Sequence, residues 1–466
     1  MDNAQYAESG NKGRALLLST VSFGVCFAVW TIFSIIGVEL QRELSLSETA
    51  FGLLVATPIL TGSLSRILLG IWAQQFGGRT VFTALMCVVA ACAFALPYAQ
   101  TFAQILAVGL GLGLAGGSFS IGVVYVSNWF PREQQGTALG LFGMGTLGAA
   151  ATSFGAPFLM FAIGWRETVT AYGALMLAMA AVFFLSSRED PVTAARRETG
   201  TRPILLRECL APLRYLQVWR FSLYYFFVFG GFVALTSWLP RYFIGAYELD
   251  IRVAGVLTAG FALPAALFRA LGGVLADRYG ARTIMYVAFW VSLVCLFLLS
   301  YPNARYVVEG IHGPIEFTIT LSGVQRMAIL AVLGFGMALG MAAVFKHIPL
   351  YYSDHVGAVG GLVGMIGGLG GFFLPIAFGF TTNIVGIWTS CFMLLFGIAG
   401  ISLIWMHLAI RRMEHRRIPE LASEAFRYLP EAPASSSAKP SAARDSQEVV
   451  SSKPTPPPGG ARRGQV

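Results

Sequence analysis

ATPILTGSLSRILLG (Ala56–Gly70) and GFALPAALFRALGG (Gly260–Gly273) decide the fold of this chain. Each sets one arginine, Arg66 or Arg269, inside a run of apolar and small residues. Each arginine is followed by Gly at +4 (Gly70, Gly273), Gly at +11 (Gly77, Gly280) and Arg at +13 (Arg79, Arg282), and a single offset of 203 residues relates the copies. The chain therefore contains a repeat. If these runs cross a bilayer, an arginine at the centre of each costs roughly 2.5–3.5 kcal/mol even on a lenient insertion scale, and the pair about 5–7. A cost borne twice at equivalent positions points to a use, and two fixed positive charges at mid-depth are suited to hold an anion.

Composition supports the bilayer. Of 466 residues, 56% are hydrophobic and only 12% charged, which leaves too little polar surface for a soluble protein of this size. Continuous apolar stretches of about 20 residues recur, each long enough to span as a helix, and their lack of alternation argues against a barrel. Twelve spans are expected at 15–38, 51–74, 80–98, 102–129, 137–162, 168–187, 221–246, 253–276, 283–302, 325–350, 357–382 and 386–410. The first is too long for a cleavable signal and lacks a small-residue cleavage site. The net charge of +9 reads as topology. Lys12, Arg14, the arginines of 188–220 and Arg411, Arg412, Arg416 and Arg417 fall on one side of an even number of spans, so both termini are expected in the cytoplasm. Scattered over separate loops, these charges do not suggest a nucleic-acid partner. The six cysteines lack metal spacing and read as small buried hydrophobes, apart from Cys209 in a loop. No cofactor or metal site is expected.

The polar stretch divides six spans from six. Expected units are an N-terminal half (1–187), a cytoplasmic loop (188–220), a C-terminal half (221–410) and a tail (411–466) whose Ala, Ser and Pro content suits disorder. The repeat recurs between spans five and eleven, where Gly136, Gly140, Gly143 and Gly148 match Gly357, Gly361, Gly364 and Gly370. There the offset has grown to 221–222, and the extra length sits in 303–324. Two parallel six-helix halves describe an all-α membrane protein of the major facilitator fold, with substrate bound at mid-depth between the halves.

GIWAQQFGGR (Gly70–Arg79) and GVLADRYGAR (Gly273–Arg282) resemble the major facilitator loop motif, a packing and gating element. Gly70, Arg79, Gly273, Asp277, Arg278 and Arg282 occupy its positions, and Gln74 stands where it prefers Asp. GGSFSIGVVYVSNWFP (Gly116–Pro131) continuing into QGTALGLFG (Gln135–Gly143), with GLVGMIGGLGGFFLP (Gly361–Pro375) and the two arginines, resembles the nitrate/nitrite porter family over residues 15–410. That resemblance implies an anion clamped by Arg66 and Arg269, walled by Phe119, Tyr225 and Phe229, and approached by Gly116 and Gly368. The family's usual Asn in span five is here Thr146, a shorter hydrogen-bond donor. The Tyr125–Pro131 and Gly136–Gly143 runs look closer to the family's proton-linked branch.

Each of these residues also fits a purely structural role. Arg66 lies eight residues from Gln74, or about 12 Å of helix, which is too deep for easy snorkelling. No mid-span carboxylate is available to pair it. The glycines suit close helix packing, and the three rings belong to a chain with 36 phenylalanines. Lys346 reads either as a snorkelling lysine or as a titratable group coupling protons to the anion. With no constellation of nucleophile, acid–base pair or metal, an enzyme is not expected. The expected activity is secondary transport of nitrate or nitrite by a protein working as a monomer, through proton symport or exchange. A carrier of another small anion, such as a carboxylate, and a non-transporting sensor are the rivals.

Overall fold

The computed structural model describes residues 2–193, 210–302, 304–319, 321–351 and 356–414. Twelve helices in it are long and apolar enough to cross a membrane: α1 Asn11–Glu43, α2 Glu48–Phe76, α3 Gly78–Tyr98, α4 Phe102–Trp129, α5 Thr137–Ile163, α6 Trp165–Ser186, α7 Leu216–Tyr247, α8 Ile251–Tyr279, α9 Ala281–Ser300, α10 Gly323–Ile348, α11 Val359–Val385 and α12 Ser390–Arg412. Each carries one expected span. α12 starts later than expected, because Gly386 adopts φ +72 and turns the chain before Ser390. α12 also continues to Glu414, so Arg411 and Arg412 belong to its last turn and not to the tail. The remainder of the expected tail lies outside the described residues, as do Cys209 and 194–209 of the inter-half segment.

One element departs from an all-α chain. The long loop before α10 folds into a hairpin of β1 Ala304–Gly310 and β2 Gly313–Ile319, paired antiparallel. Gly310 opposite Gly313 leaves a two-residue turn, with Gly313 at φ +122. The turn residues are Ile311 and His312, and Gly313 after them supplies the one positive φ, which glycine adopts freely; β-branched residues such as Val307, Val308 and Ile315 suit the strands.

The repeat holds at the level of helix ends. α2 and α8 are each 29 residues long. The side chains of Ser47 and Asp250 cap their first turns. Gly77 (φ 90, ψ 140) and Gly280 (φ 87, ψ 137) end them in the same positive-φ conformation, open to glycine and strained for other residues. Arg66 precedes the last residue of its helix, Phe76, by ten positions, and Arg269 precedes Tyr279 by ten, placing both about 15 Å from that end.

The halves meet along α2 against α11 and α8 against α5. At Gly52 and Gly379 the two backbones of the first pair approach so closely that a Cβ would stand 2.5 Å from Pro375 O and 2.4 Å from Glu48 O. Gly255 on α8 is as close to Ser153 O on α5, at 2.3 Å. Polar bonds reinforce this end of the molecule, which also carries the hairpin. Arg241 of α7 pairs with Glu48 of α2, its Nε donating to both carboxylate oxygens at 3.2 and 3.0 Å, and Asn383 donates to Thr49 at 2.7 Å. At the opposite end the facing helices are less closely packed. Gly140 and Gly361 lie one turn beyond the site-facing Gly143 and Gly364, on the same helix faces, yet a Cβ on either would meet nothing within 4 Å.

The two motif loops lie at this less closely packed end and are held differently. Arg79 donates to Phe184 O at 2.7 and 3.2 Å, and a side chain at Gly77 would run into Glu189. Tyr125 donates to Arg188 O at 2.6 Å, and Asn128 to Asp190 at 2.7 Å. The start of the expected inter-half loop is thus folded onto the first motif, and α7 begins at Leu216, ahead of residue 221. In the second copy Asp277 forms an ion pair with Lys346. Lys346, the residue considered for coupling, therefore has a carboxylate beside it. Its ammonium is held by a carboxylate eight residues beyond Arg269, about 12 Å along α8, and both partners are two-fifths or more exposed. Gln74 and Tyr125 fill the equivalent positions of the first half, so the ion pair belongs to one half only. Neutralising either partner, by Asp277→Asn or Lys346→Gln, is expected to change transport rate equally, with the exchanged pair Asp277→Lys/Lys346→Asp recovering it. Flux of the four proteins decides this, and stability should move by less than about 1 kcal/mol for so exposed a pair.

Candidate substrate site

Arg66 and Arg269 each reach across the molecular midline. Arg66, on α2 of the first half, donates from Nη1 to Gly364 O on α11 of the second, at 2.6 Å. Arg269, on α8 of the second half, lies against Gly143 on α5 of the first, where a Cβ would stand 3.1 Å from Nε. Gly143 and Gly364 are repeat equivalents, so each arginine meets the matching glycine of the other half, Arg66 through a hydrogen bond and Arg269 through side-chain contact. Both arginines are buried, at 1% and 5% exposure. Among the described residues neither has an ion-pair partner, and Arg269 Nη1 has no hydrogen-bond acceptor. An unpaired buried cation is costly, and the low dielectric that makes it so also strengthens its attraction for an anion.

Aromatic rings close the space around the charges. The Arg66 guanidinium carbon lies 4.9 Å from the Phe229 ring centre, 5.5 Å from Phe119 and 6.0 Å from Trp30. The Arg269 carbon is also 5.5 Å from Phe119, so this one ring serves both arginines. Tyr225 stacks on Phe229 at 4.9 Å with planes 5° apart, and its hydroxyl accepts from Arg269 Nη2 at 3.3 Å. Phe345 of α10 meets Phe119 edge-on at 5.7 Å and Tyr225 at 5.0 Å, spanning the halves on the motif-loop side. Such cation–π contacts stabilise a buried guanidinium without neutralising it.

Helix irregularity is concentrated here. α4 tightens to a 3-10 turn at Leu114–Gly117, α5 does so at Met144–Thr146, and α7 widens to a π turn at Phe226–Gly230. The 3-10 turn of α4 presents Gly116 O to Arg66 Nε at 3.4 Å. The π turn carries the Tyr225–Phe229 stack, and single π turns of this kind recur at functional sites.

The structure brings most of the residues singled out in the sequence into this one place: Arg66, Arg269, Phe119, Tyr225, Phe229, Gly116 and Gly368. The glycines act by absence. A Cβ at Gly116 would stand 2.5 Å from the Trp30 ring, and one at Gly368 would lie 2.5 Å from Ser63 Oγ and 3.4 Å from Arg66 Nη1. Thr146 is fully buried beside them, but its hydroxyl donates to Gly143 O at 3.0 Å and is not the free donor expected of it. Gly70, Arg79, Gly273, Asp277, Arg278 and Arg282 lie further along, at the motif loops. Three residues of the site were missed. Trp30, whose Nε1 donates to Pro58 O at 2.9 Å, could have been found as a tryptophan deep in a span. Phe345 and Ser63 carry no comparable signal. Another buried arginine, Arg326, was also missed; it donates to the Tyr242 hydroxyl at 3.0 Å near the start of α10, away from this pair.

The Major Facilitator Superfamily model matches residues 18–308 and 246–451. The chain belongs to the major facilitator superfamily. Within it, the chain is 41% identical to the probable nitrate/nitrite antiporter NarK1 of Thermus thermophilus, over 90% of this chain and 96% of that protein. It is 31% identical to the nitrite extrusion protein of Bacillus subtilis (86% and 96%) and 31% identical to the probable nitrate transporter NarT of Staphylococcus carnosus (85% and 96%). The match to these relatives places it in the nitrate/nitrite porter family of the superfamily. A bacterial homolog of the lysosomal transporter Spinster, inward-facing and occupied, superposes with a TM-score of 0.63 at 16% identity, covering 88% of this chain and 99% of its own. A point mutant of the nucleoside transporter NupG superposes at 0.63 with 14% identity, covering 84% and 99%. At such identities these two speak for the fold alone. It is a multi-pass membrane fold of a transporter family, not of an enzyme.

Proposed function

We propose that this major facilitator protein is a secondary transporter of nitrate and nitrite in the plasma membrane, working by exchange of one anion for the other. One observation carries the reading: two buried guanidinium groups, one from each half, flank the single ring of Phe119 with no carboxylate to neutralise them among the described residues. A small planar oxyanion between them accepts from both and excludes cations by charge. Because each arginine belongs to a different half, an anion bound by both draws the halves together, which is what an alternating-access cycle requires of its substrate. The looser packing at Gly140 and Gly361 and the closure at Glu48–Arg241 fit a state open on the motif-loop side. We assign that side to the cytoplasm from the lysine and arginine distribution, with both ends of the chain there and the hairpin outside. The protein functions as a monomer, each copy holding a complete site. Exchange is favoured over proton symport because Lys346, the residue considered for coupling, is paired with Asp277 away from the arginines. An empty site would have to carry two unpaired charges through the transition, a cost that a returning anion removes.

Counterflow in proteoliposomes tests this. Internal nitrite is expected to drive uptake of labelled nitrate, formate and chloride are expected to compete poorly, and an imposed pH gradient is expected to leave the rate unchanged. Stimulation by the gradient in the absence of internal anion would replace exchange by symport. Uptake of formate in preference to both would replace the substrate.

A further inference from the structure

The neutral hydrogen-bond donor of the site is missing from where the sequence pointed. Thr146 spends its hydroxyl on Gly143 O. Along the same stretch of α2 that carries Arg66, hydroxyls are likewise consumed: Thr57 donates to Leu53 O at 2.7 Å, Thr61 to Leu110 O at 2.6 Å and Ser65 to Gly62 O at 3.4 Å. Ser63 differs. It is completely buried, and its Oγ has no hydrogen-bond partner among the described residues. Other buried hydroxyls share that condition, so location decides what this one means. Ser63 precedes Arg66 by three residues and therefore stands on the same face of α2, one turn away. Its Oγ is directed at Gly368 on α11, toward the Cβ position that Arg66 Nη1 also approaches. Because residue 368 has no side chain, α11 packs directly against Ser63 Oγ and Arg66 Nη1 at the junction of the halves.

We infer that Ser63 is a specificity-determining residue of the anion site, donating its hydroxyl to one oxygen of the oxyanion while Arg66 and Arg269 bind the others. This rests on the assignment of the arginine pair as the anion site. It adds what the charges alone cannot supply. Two guanidinium groups attract any small anion, whereas a fixed hydroxyl beside Arg66 rewards an oxygen at one particular position. A trigonal oxyanion has three oxygens to meet three donor groups, and a spherical halide has none to place. Gly368 belongs to the same device, since a side chain there would collide with the hydroxyl and displace it.

The test is the concentration dependence of nitrate uptake, with competition by nitrite and chloride, for wild type, Ser63→Ala and Ser63→Cys in proteoliposomes. Cysteine keeps a side chain of similar shape with a much weaker donor. A hydrogen bond to a charged partner corresponds to roughly a tenfold change in affinity or more. Both variants are therefore expected to raise KM for nitrate by roughly tenfold with little change in maximal rate, and to narrow the preference for nitrate over chloride. Unchanged KM in either variant that inserts, or recovery of wild-type KM by cysteine where alanine fails, would leave Ser63 a packing residue and overturn the inference. If wild type itself carries no nitrate, it is the transport reading that falls, and the two failures are told apart by that control.

Discussion

Arg66→Lys and Arg269→Lys are each expected to lower nitrate flux by roughly 100-fold or more while the protein still inserts and folds. The charge survives the change, so the loss measures geometry. Arg66 divides its guanidinium between two acceptors on different helices, Nε on Gly116 O and Nη1 on Gly364 O, and lies near Phe229, Phe119 and Trp30. Only a planar fork with several N–H directions can satisfy those carbonyls and still present a donor to an anion. A lysine has three donors on one nitrogen and must abandon either the carbonyls or the anion. Two or more charge-assisted bonds at about 1.5–3 kcal/mol each set the scale of the loss. Among the described residues Arg269 has fewer hydrogen-bond partners, with Nη2 on the Tyr225 hydroxyl and Nη1 unsatisfied. More of its hydrogen-bonding capacity is therefore available to substrate, and its lysine variant should show the larger rise in KM. Arg66→Lys should cost more in thermal stability, because it also unties α2 from α11. Initial rates and melting temperatures of purified variants check both halves of this. Near wild-type flux from both variants would make the arginines structural and move the site elsewhere.

The legibility of this molecule in its sequence was uneven for physical reasons. The repeat could be read because membrane helices admit few residue types, so an arginine with glycines at +4 and +11 stands out against an apolar background. Helix number and order followed from length and hydropathy for the same reason. What could not be read was backbone departure from the α-helix. The 3-10 turns at Leu114–Gly117 and Met144–Thr146 and the π turn at Phe226–Gly230 arise from packing between helices, and no residue in them demands the change. The fate of side-chain hydroxyls was equally hidden. Thr146 and Ser63 are both buried hydroxyl residues near the arginines, yet one is consumed locally and the other is not. Lys346 could be placed near the end of a helix by counting, but its carboxylate partner lay on a different helix, in a motif read for other reasons. The hairpin at 304–319 was visible only as excess length, because a short pair of strands is a weak signal beside twelve hydrophobic runs.

The glycines of α5 and α11 separate packing from motion, and alanine at each sorts them. Gly148 faces Gly24 O, where a Cβ would stand 2.0 Å away, and Gly370 faces Phe226 O at 2.7 Å. Both obstacles are backbone and cannot turn aside, so Gly148→Ala and Gly370→Ala are expected to destabilise the protein by about 1–3 kcal/mol, seen as a lower melting temperature and poor recovery from the membrane. Gly143→Ala meets the Arg269 side chain at 3.1 Å, a neighbour that can shift. It is expected to keep stability and to damage nitrate affinity by displacing the guanidinium. Gly364→Ala, with Arg66 at an ordinary 3.5 Å, should be the mildest of the site-facing changes. Gly140 and Gly361 complete the series. They share the helix faces of Gly143 and Gly364, but a Cβ on either would meet nothing within 4 Å. In this conformation alanine has room at both, and replacing a helical glycine there is favourable by roughly 0.5–1 kcal/mol. When the halves close on the motif-loop side, the same faces come together and the added methyl groups meet whatever glycine lets approach. Gly140→Ala and Gly361→Ala are therefore expected to leave the melting temperature unchanged or raised while slowing exchange several-fold, with KM little altered. Full wild-type turnover in both variants would mean that these faces never close on one another, and that the conformational cycle proceeds by some motion other than rocking of the two halves about the arginine pair.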